Sequence, residues 1–183
     1  MPHVIEFATT GRAKCRGCGA PIAKDTVRLG EAVPNLYADT DGAESLHWYH
    51  PECAAYRRPE AFLQAVDGCE LTLPDRDALV AVAAEGVAHH RLPRIDRAER
   101  ASSGRAACRA CRALIPKDAW RIALLFSQDG RLAPSGFVHA TCAPTYFETA
   151  NLLDRLRHFT PGLASTDLEA LARDLAVGRT PAG

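Results

Sequence analysis

Apolar and polar residues alternate in short runs at two widely separated places in this chain, and each time a helical pattern follows. Thr26-Val27-Arg28-Leu29 reads as a strand in the first half, and Trp120-Arg121-Ile122-Ala123-Leu124-Leu125-Phe126 in the second. Val4-Ile5-Glu6-Phe7 gives the first half an extended opening segment, and further strands end in His-Trp-Tyr-His50 and Gly-Phe-Val-His139. Downstream the period lengthens. Tyr146, Ala150, Leu153, Leu156 and Phe159 recur at three- and four-residue steps, one stripe of an amphipathic helix that begins after the last cysteine. A final helix closes each half. Pro74 suits its first turn in one copy, and Thr166 with Glu169 reads as a capping box in the other. The first closing helix is expected to stop around Gly86, with Pro93 beyond it, and residues 87–101 read as a linker. The order predicts an α+β fold of two small modules, 1–92 and 93–183, each a short antiparallel sheet with C-terminal helices.

The two halves are copies. Residues 9–29 (TTGRAKCRGCGAPIAKDTVRL) lie over residues 102–122 (SSGRAACRACRALIPKDAWRI) without a gap. LTLPDRDALVAVAAEG at 71–86 matches LASTDLEALARDLAVG at 163–178 more loosely. A module of about ninety residues lies within the usual range for a small domain.

The same metal-ligand spacing occurs in both copies. Cys15-x2-Cys18 is completed by His50-x2-Cys53, and Cys108-x2-Cys111 by His139-x2-Cys142, which uses six of the seven cysteines. Zinc takes four tetrahedral ligands and favours thiolate and imidazole, so each quartet fills its coordination sphere. With no position left for water, such a zinc is structural and not catalytic. Two zinc ions per chain are expected. His47 lies near the first quartet, but its counterpart is Gly136, whereas His50 has His139; His50 is therefore the ligand. Cys69 aligns near Pro161 and reads as a buried thiol behaving as a small hydrophobe.

Composition narrows the class. No apolar run is long enough to span a bilayer and no signal segment opens the sequence, so no membrane partner is expected. Ligand spacing and the unpaired Cys69 point to a reducing, intracellular compartment, cytoplasm or nucleoid in a bacterium and nucleus in a eukaryote. The formal charge is zero, and two Cys3His zinc centres would make it about −2. Nucleic-acid binders are usually basic, so distribution matters more than the sum. Arg91, Arg94, Arg97, Arg100, Arg105, Arg109 and Arg112 crowd residues 91–112 against only Asp96 and Glu99. Arg12, Lys14 and Arg16 surround the first Cys-x2-Cys turn, and the pair Arg12/Arg16 recurs as Arg105/Arg109. A binding face beside each metal fits that recurrence better than an ordinary solvated surface.

Gly-Arg-Ala-x-Cys-x2-Cys, then Ile-x-Lys-Asp-x-x-Arg, then Trp-Tyr-His-Pro-x-Cys strongly resemble the DNA-break-sensing zinc fingers of poly(ADP-ribose) polymerases. Related fingers occur in a eukaryotic DNA ligase and a plant DNA 3′-phosphatase. Ile5-Glu6-Phe7-Ala8 and Asp67-Gly68-Cys69-Glu70-Leu71 fit the same pattern, while the second copy departs from it with Phe137-Val138 in place of Trp-Tyr. The resemblance implies recognition of DNA structure without sequence preference. It maps backbone-holding arginines onto Arg12 and Arg28 in the first finger and Arg105 and Arg121 in the second. Guanidinium grips phosphate bidentately and carries no sequence information. The family also sets apolar loop residues on the terminal base pair exposed at a break. Here Leu46, Leu36 or Tyr37 would serve in the first copy, and Leu132, Pro134 or Phe126 in the second. The loop ADTDGAESLHWYH before His50 is longer and more acidic than the family pattern.

The expected function is therefore a DNA-binding protein that recognises nicks, gaps or ends through two tandem fingers, with a DNA repair enzyme as a further partner. No glycine-rich phosphate loop, Ser-His-Asp set or carboxylate pair stands apart from the zinc motifs, so neither an enzyme nor a small-molecule substrate is expected. The alternative is a zinc-stabilised protein-interaction module or adaptor without direct DNA contact, which the neutral charge and the acidic loop would suit.

Overall fold

The alternation at Val4–Phe7 forms strand β1, which pairs antiparallel with β2 (Val27–Pro34); β2 in turn pairs with β3 (Glu44–Tyr49). These coordinates are a computed structural model that describes residues 2–35, 43–128 and 131–178. The chain divides into two units, Met1–Pro93 and Arg94–Gly183. Each contains a three-stranded antiparallel sheet followed by helices, an α+β module that occurs twice.

In the first unit the central strand β2 carries most of the burial, with Leu29 fully enclosed. Trp48 on β3 lies across β2 at Gly30, where a Cβ would come within 2.7 Å of the indole ring. The helices follow the prolines. Pro51 opens α1 (Pro51–Arg57), and Pro59 opens α2 (Pro59–Asp67) one residue after α1 ends. Proline lacks an amide hydrogen to donate and favours the first turn, so it restarts a helix instead of continuing one. Helix α3 (Arg76–Ala88) packs on both with small buried residues, Ala83 and Gly86, on its inner face. It begins after Asp75 in a left-handed conformation, so Pro74 precedes the helix; it ends at Ala88, two residues past Gly86.

The second unit corrects three sequence expectations. Much of the presumed linker is a strand: β4 (Ile95–Arg100) pairs with β5 (Trp120–Gln128), burying Ile95 and Ala98 and directing charged residues outward. It matches β1 in position within its sheet, but its charge density conceals the alternation. β5 pairs with β6 (Arg131–His139), with an irregularity in register between Ala123 and Leu125. Second, the helical stripe from Tyr146 to Phe159 belongs to two helices, α4 (Ala143–Phe147) and α5 (Leu153–Phe159), preceded by a 3-10 turn at Ala140–Cys142. Glu148 takes a left-handed conformation (φ 62°) between them, and Phe147, Leu152 and Leu156 become the buried set. Third, α6 (Ser165–Val177) starts before Thr166, with no side-chain cap; Leu171 and Leu175 face the core. Gly178 ends that helix against the 3-10 turn, where a Cβ would overlap the Thr141 carbonyl oxygen at 1.9 Å.

Candidate metal centres and cationic surface

Each ligand quartet converges. The Sγ and imidazole atoms of Cys15, Cys18, His50 and Cys53 lie within 4.8 Å of one another, as do those of Cys108, Cys111, His139 and Cys142. The edges have the size a zinc tetrahedron requires. His50 Nδ1 is 3.5 Å from Cys18 Sγ and 3.8 Å from Cys53 Sγ; His139 Nδ1 is 3.4 Å from Cys111 Sγ and 3.7 Å from Cys142 Sγ. Zinc–sulfur and zinc–nitrogen bonds of about 2.3 and 2.0–2.1 Å give a tetrahedral S···N edge of about 3.6 Å. The chain thus holds two Cys3His zinc centres. Both histidines present Nδ1 to the metal, because Nε2–H donates to a backbone carbonyl, Pro21 O at 3.3 Å for His50 and Leu114 O at 3.2 Å for His139. Such outer bonds fix the tautomer and the ring orientation.

Local folding sets the sulfurs in place. The Cys-x2-Cys turn closes through Gly19 N–H to Cys15 O in the first copy and Arg112 N–H to Cys108 O in the second. The last two ligands come from the end of the third strand and the turn or helix after it. His50 N–H points at Cys15 Sγ (3.4 Å) and His139 N–H at Cys108 Sγ (3.3 Å), which favours thiolate. Cys15 is drawn down to about 4, first by a hydrogen bond from the Cys53 thiol and, against burial, by backbone N–H groups; Cys53 is pushed upward in return. Burial raises Cys108, but the N–H groups of Cys111, His139 and Ala110 outweigh it and settle the thiol at about 7. Cys142 is pushed up to about 12 by burial and by its neighbouring sulfurs. Without metal, each cluster keeps protons on some of its sulfurs; a dication replaces them. Cys69 is half-exposed, not buried, and its sulfur lies 4.0 Å from the Leu71 carbonyl.

The arginines singled out from the sequence separate into two groups. Arg12, Arg16, Arg105 and Arg109 are exposed beside the Cys-x2-Cys turns, with no carboxylate partner among the described residues. Arg28 and Arg121 are buried, at 8% and 7% exposure. Glu6 Oε1 accepts from Arg28 Nε (3.1 Å) and Nη2 (2.6 Å), and Glu99 Oε1 accepts from Arg121 Nε (3.0 Å) and Nη2 (2.5 Å). Each guanidinium also lies on an aromatic ring of the third strand, Trp48 at 3.5 Å and Phe137 at 3.6 Å. Sequence reasoning missed these glutamates, although the signal was present: both stand 22 residues before their arginine. Arg94, Arg97 and Arg100 in the arginine-rich stretch are also used internally, on Leu125 O and Ser135 Oγ, on Asp96 and Glu99, and on Asp118 O and the Trp120 ring.

The apolar candidates are spread unevenly. Leu46 joins Lys14, Cys15, Arg16, Gly19 and Trp48 around an open recess of about 510 Å³, a cationic rim over an apolar floor. Leu36 and Tyr37 lie outside the described residues. In the second unit Leu132 is half-exposed on β6 and Pro134 is exposed, while Phe126 on β5 presents half its surface (51%). Arg109 lies over Gly136, which has φ 94° and where a Cβ would come within 2.8 Å of the Arg109 Nε. The corresponding residue of the first copy is His47, whose imidazole pKa is lowered by burial and then by Arg16.

Two small sheets, each tied to its helices by a closed four-ligand zinc centre, define a tandem zinc-finger protein. Residues 6–83, most of the first module, match the family described as the poly(ADP-ribose) polymerase and DNA-ligase Zn-finger region. It is 40% identical over 53 residues to a poly(ADP-ribose) polymerase of Drosophila melanogaster, covering 29% of this chain and 5% of that protein. The Sarcophaga peregrina polymerase is 39% identical over 56 residues, covering 31% and 6%. Poly(ADP-ribose) polymerase 1 of Gallus gallus is 40% identical over 52 residues, covering 28% and 5%. The chain thus spans about a twentieth of the length of these relatives, and what it shares with them is finger sequence. No helix among the described residues is long and apolar enough to cross a membrane.

Proposed function

We propose that this protein binds DNA at strand breaks, reading structure and not sequence, with one finger on each side of the discontinuity. The observation that carries this reading is the repeated pair of exposed, unpaired arginines beside each zinc centre, Arg12/Arg16 and Arg105/Arg109. Such residues suit phosphate, and phosphate contacts orient a protein on DNA without reading bases. Arg28 in the first module and Arg121 in the second are the second pair of candidates, with a different geometry. Each is fixed in place by its glutamate, so a phosphate that binds it must share or displace that carboxylate. Leu46 over its cationic recess, with Leu132 and Phe126 in the second finger, supplies the apolar contact to an exposed base pair. Stacking of this kind is worth about 1–3 kcal/mol per base where aromatics take part. Tethering makes the second engagement intramolecular, so two modest fingers combine into tight binding. Zinc holds the fold and does no chemistry; a DNA repair enzyme, in the same intracellular compartment, is the partner class served.

The test is a titration of the whole chain against nicked and covalently closed duplexes of one sequence over a range of salt. Affinity should fall steeply with salt on both, with the preference for the nick persisting at high salt because stacking releases no counterions. Equal affinity for the two duplexes at every salt concentration would refute break recognition.

A further inference from the structure

The two glutamates opposite the buried arginines have a role that metal binding and phosphate contact leave unexplained. Glu6 on β1 faces Arg28 on β2, and Glu99 on β4 faces Arg121 on β5, each at a directly paired position in its sheet. In both modules the carboxylate accepts from Nε and Nη2, the edge of the guanidinium fork that a phosphate would use. One face of each guanidinium plane is covered by the aromatic ring. Glu6 keeps a side-chain exposure of 43% and Glu99 of 23%, so both carboxylates remain within reach of solvent at the edge of the sheet. Two modules that have diverged at many other positions both retain a full negative charge here.

We propose that Glu6 and Glu99 are internal competitors for phosphate: each occupies the fork of its module's central arginine and so limits how strongly the protein holds DNA in general. The inference rests on the DNA-binding reading above. The two glutamates are two of the 22 acidic residues that balance the 22 lysines and arginines of the chain. Binding through charge alone acts on every stretch of duplex, broken or not. Placing a carboxylate on the fork shortens the time spent on unbroken DNA and leaves the nick to be held by the exposed arginines and by stacking.

The experiment uses the full chain carrying Glu6→Gln, Glu99→Gln or both, with Glu6→Asp and Glu99→Asp as charge-retaining controls. Each is titrated against closed and nicked duplex over a range of salt, with zinc content measured on every variant. Glutamine keeps an acceptor oxygen for the arginine but removes the charge. Each Gln variant is expected to tighten closed-duplex binding roughly three- to ten-fold at low salt. It should steepen the salt dependence by about 0.9 per freed arginine. The two changes should add, and the Asp variants should bind like the wild type. Unchanged or weakened closed-duplex affinity in zinc-replete Gln variants would overturn the proposal. So would loss of zinc from both Gln variants, which would make the glutamates folding residues. Failure of the broader reading looks different: the wild type itself would then show no preference for the nick. A wild-type preference with unchanged salt dependence in the Gln variants removes this inference alone.

Discussion

Exposure decides what each arginine contributes. Arg12 and Arg105 are exposed and meet no carboxylate among the described residues, so Arg12→Ala and Arg105→Ala should change stability by less than about 0.5 kcal/mol. Zinc content should remain at two per chain while nick affinity falls in each single variant and further in the double. Binding by the double variant equal to wild type would exclude the backbone grip. Arg28→Ala should behave in the opposite sense. It removes a buried side chain that joins Glu6 to the Trp48 ring, and should cost on the order of 2 kcal/mol, less than a fully buried pair because Glu6 is partly solvated. Denaturant midpoints of the two alanine variants would show the separation. Gly178 supplies a third residue-scale test. A Cβ there would overlap the Thr141 carbonyl, so Gly178→Ala should destabilise the second module by about 1–3 kcal/mol, read from its chemical unfolding.

At the scale of elements the two modules solve one packing problem with different chemistry. In the first, Glu31 on β2 pairs with Arg58 at the α1–α2 junction through two bonds to Arg58 Nε (2.7 and 2.8 Å), beside the buried Tyr49, whose hydroxyl is driven upward by burial and by that carboxylate. The residues at matching spacings in the second are Leu124, Phe147 and Val138, all enclosed. Replacing a buried ion pair by well-packed apolar groups is often neutral or stabilising, whereas removing one partner strands a charge. Glu31→Leu alone should therefore destabilise the first module by about 3 kcal/mol, and the triple change Glu31→Leu, Tyr49→Val, Arg58→Phe should recover most of the loss in thermal denaturation. The same contrast explains what the sequence made legible. The zinc ligands announce themselves because metal geometry constrains spacing directly, and β2 and β5 because short β-branched or aromatic apolar runs mark them. β4 was hidden by Arg97, Glu99 and Arg100, whose charges point outward around only two buried anchors, Ile95 and Ala98. The break between α4 and α5 turns on a single left-handed residue, Glu148, at which no glycine or proline gives warning. The pairing of Arg28 with Glu6 depends on strand register, which local pattern does not reveal.

For the molecule as a whole, metal is the main source of cohesion, on the order of 10 kcal/mol for each structural zinc. His50→Ala and His139→Ala should each lose one zinc and unfold one module, which metal analysis with amide exchange would locate. Acid should do the same to both. The Cys15 and Cys108 thiols lie below their ordinary 9.0, so the stability carried by their thiolates is complete above pH 9 and disappears as pH falls, through about 7 in the second module and about 4 in the first. Protons compete with zinc for the same sulfurs, and Cys142 is more open to solvent than Cys53. The second centre should therefore release its ion first, and a zinc-sensitive dye followed through an acid titration would show two steps in that order. Gly136 adds a constraint on how such a duplicated protein can change. With its backbone at φ 94° and the Arg109 side chain resting where a β-carbon would be, it accepts no ordinary residue without strain. His47→Gly crosses from the first repeat's residue to the second's without meeting that barrier, whereas Gly136→His must rebuild the backbone and displace the arginine. Change at this position is therefore easier in one direction than the other: histidine can give way to glycine without strain, whereas glycine cannot give way to histidine without it.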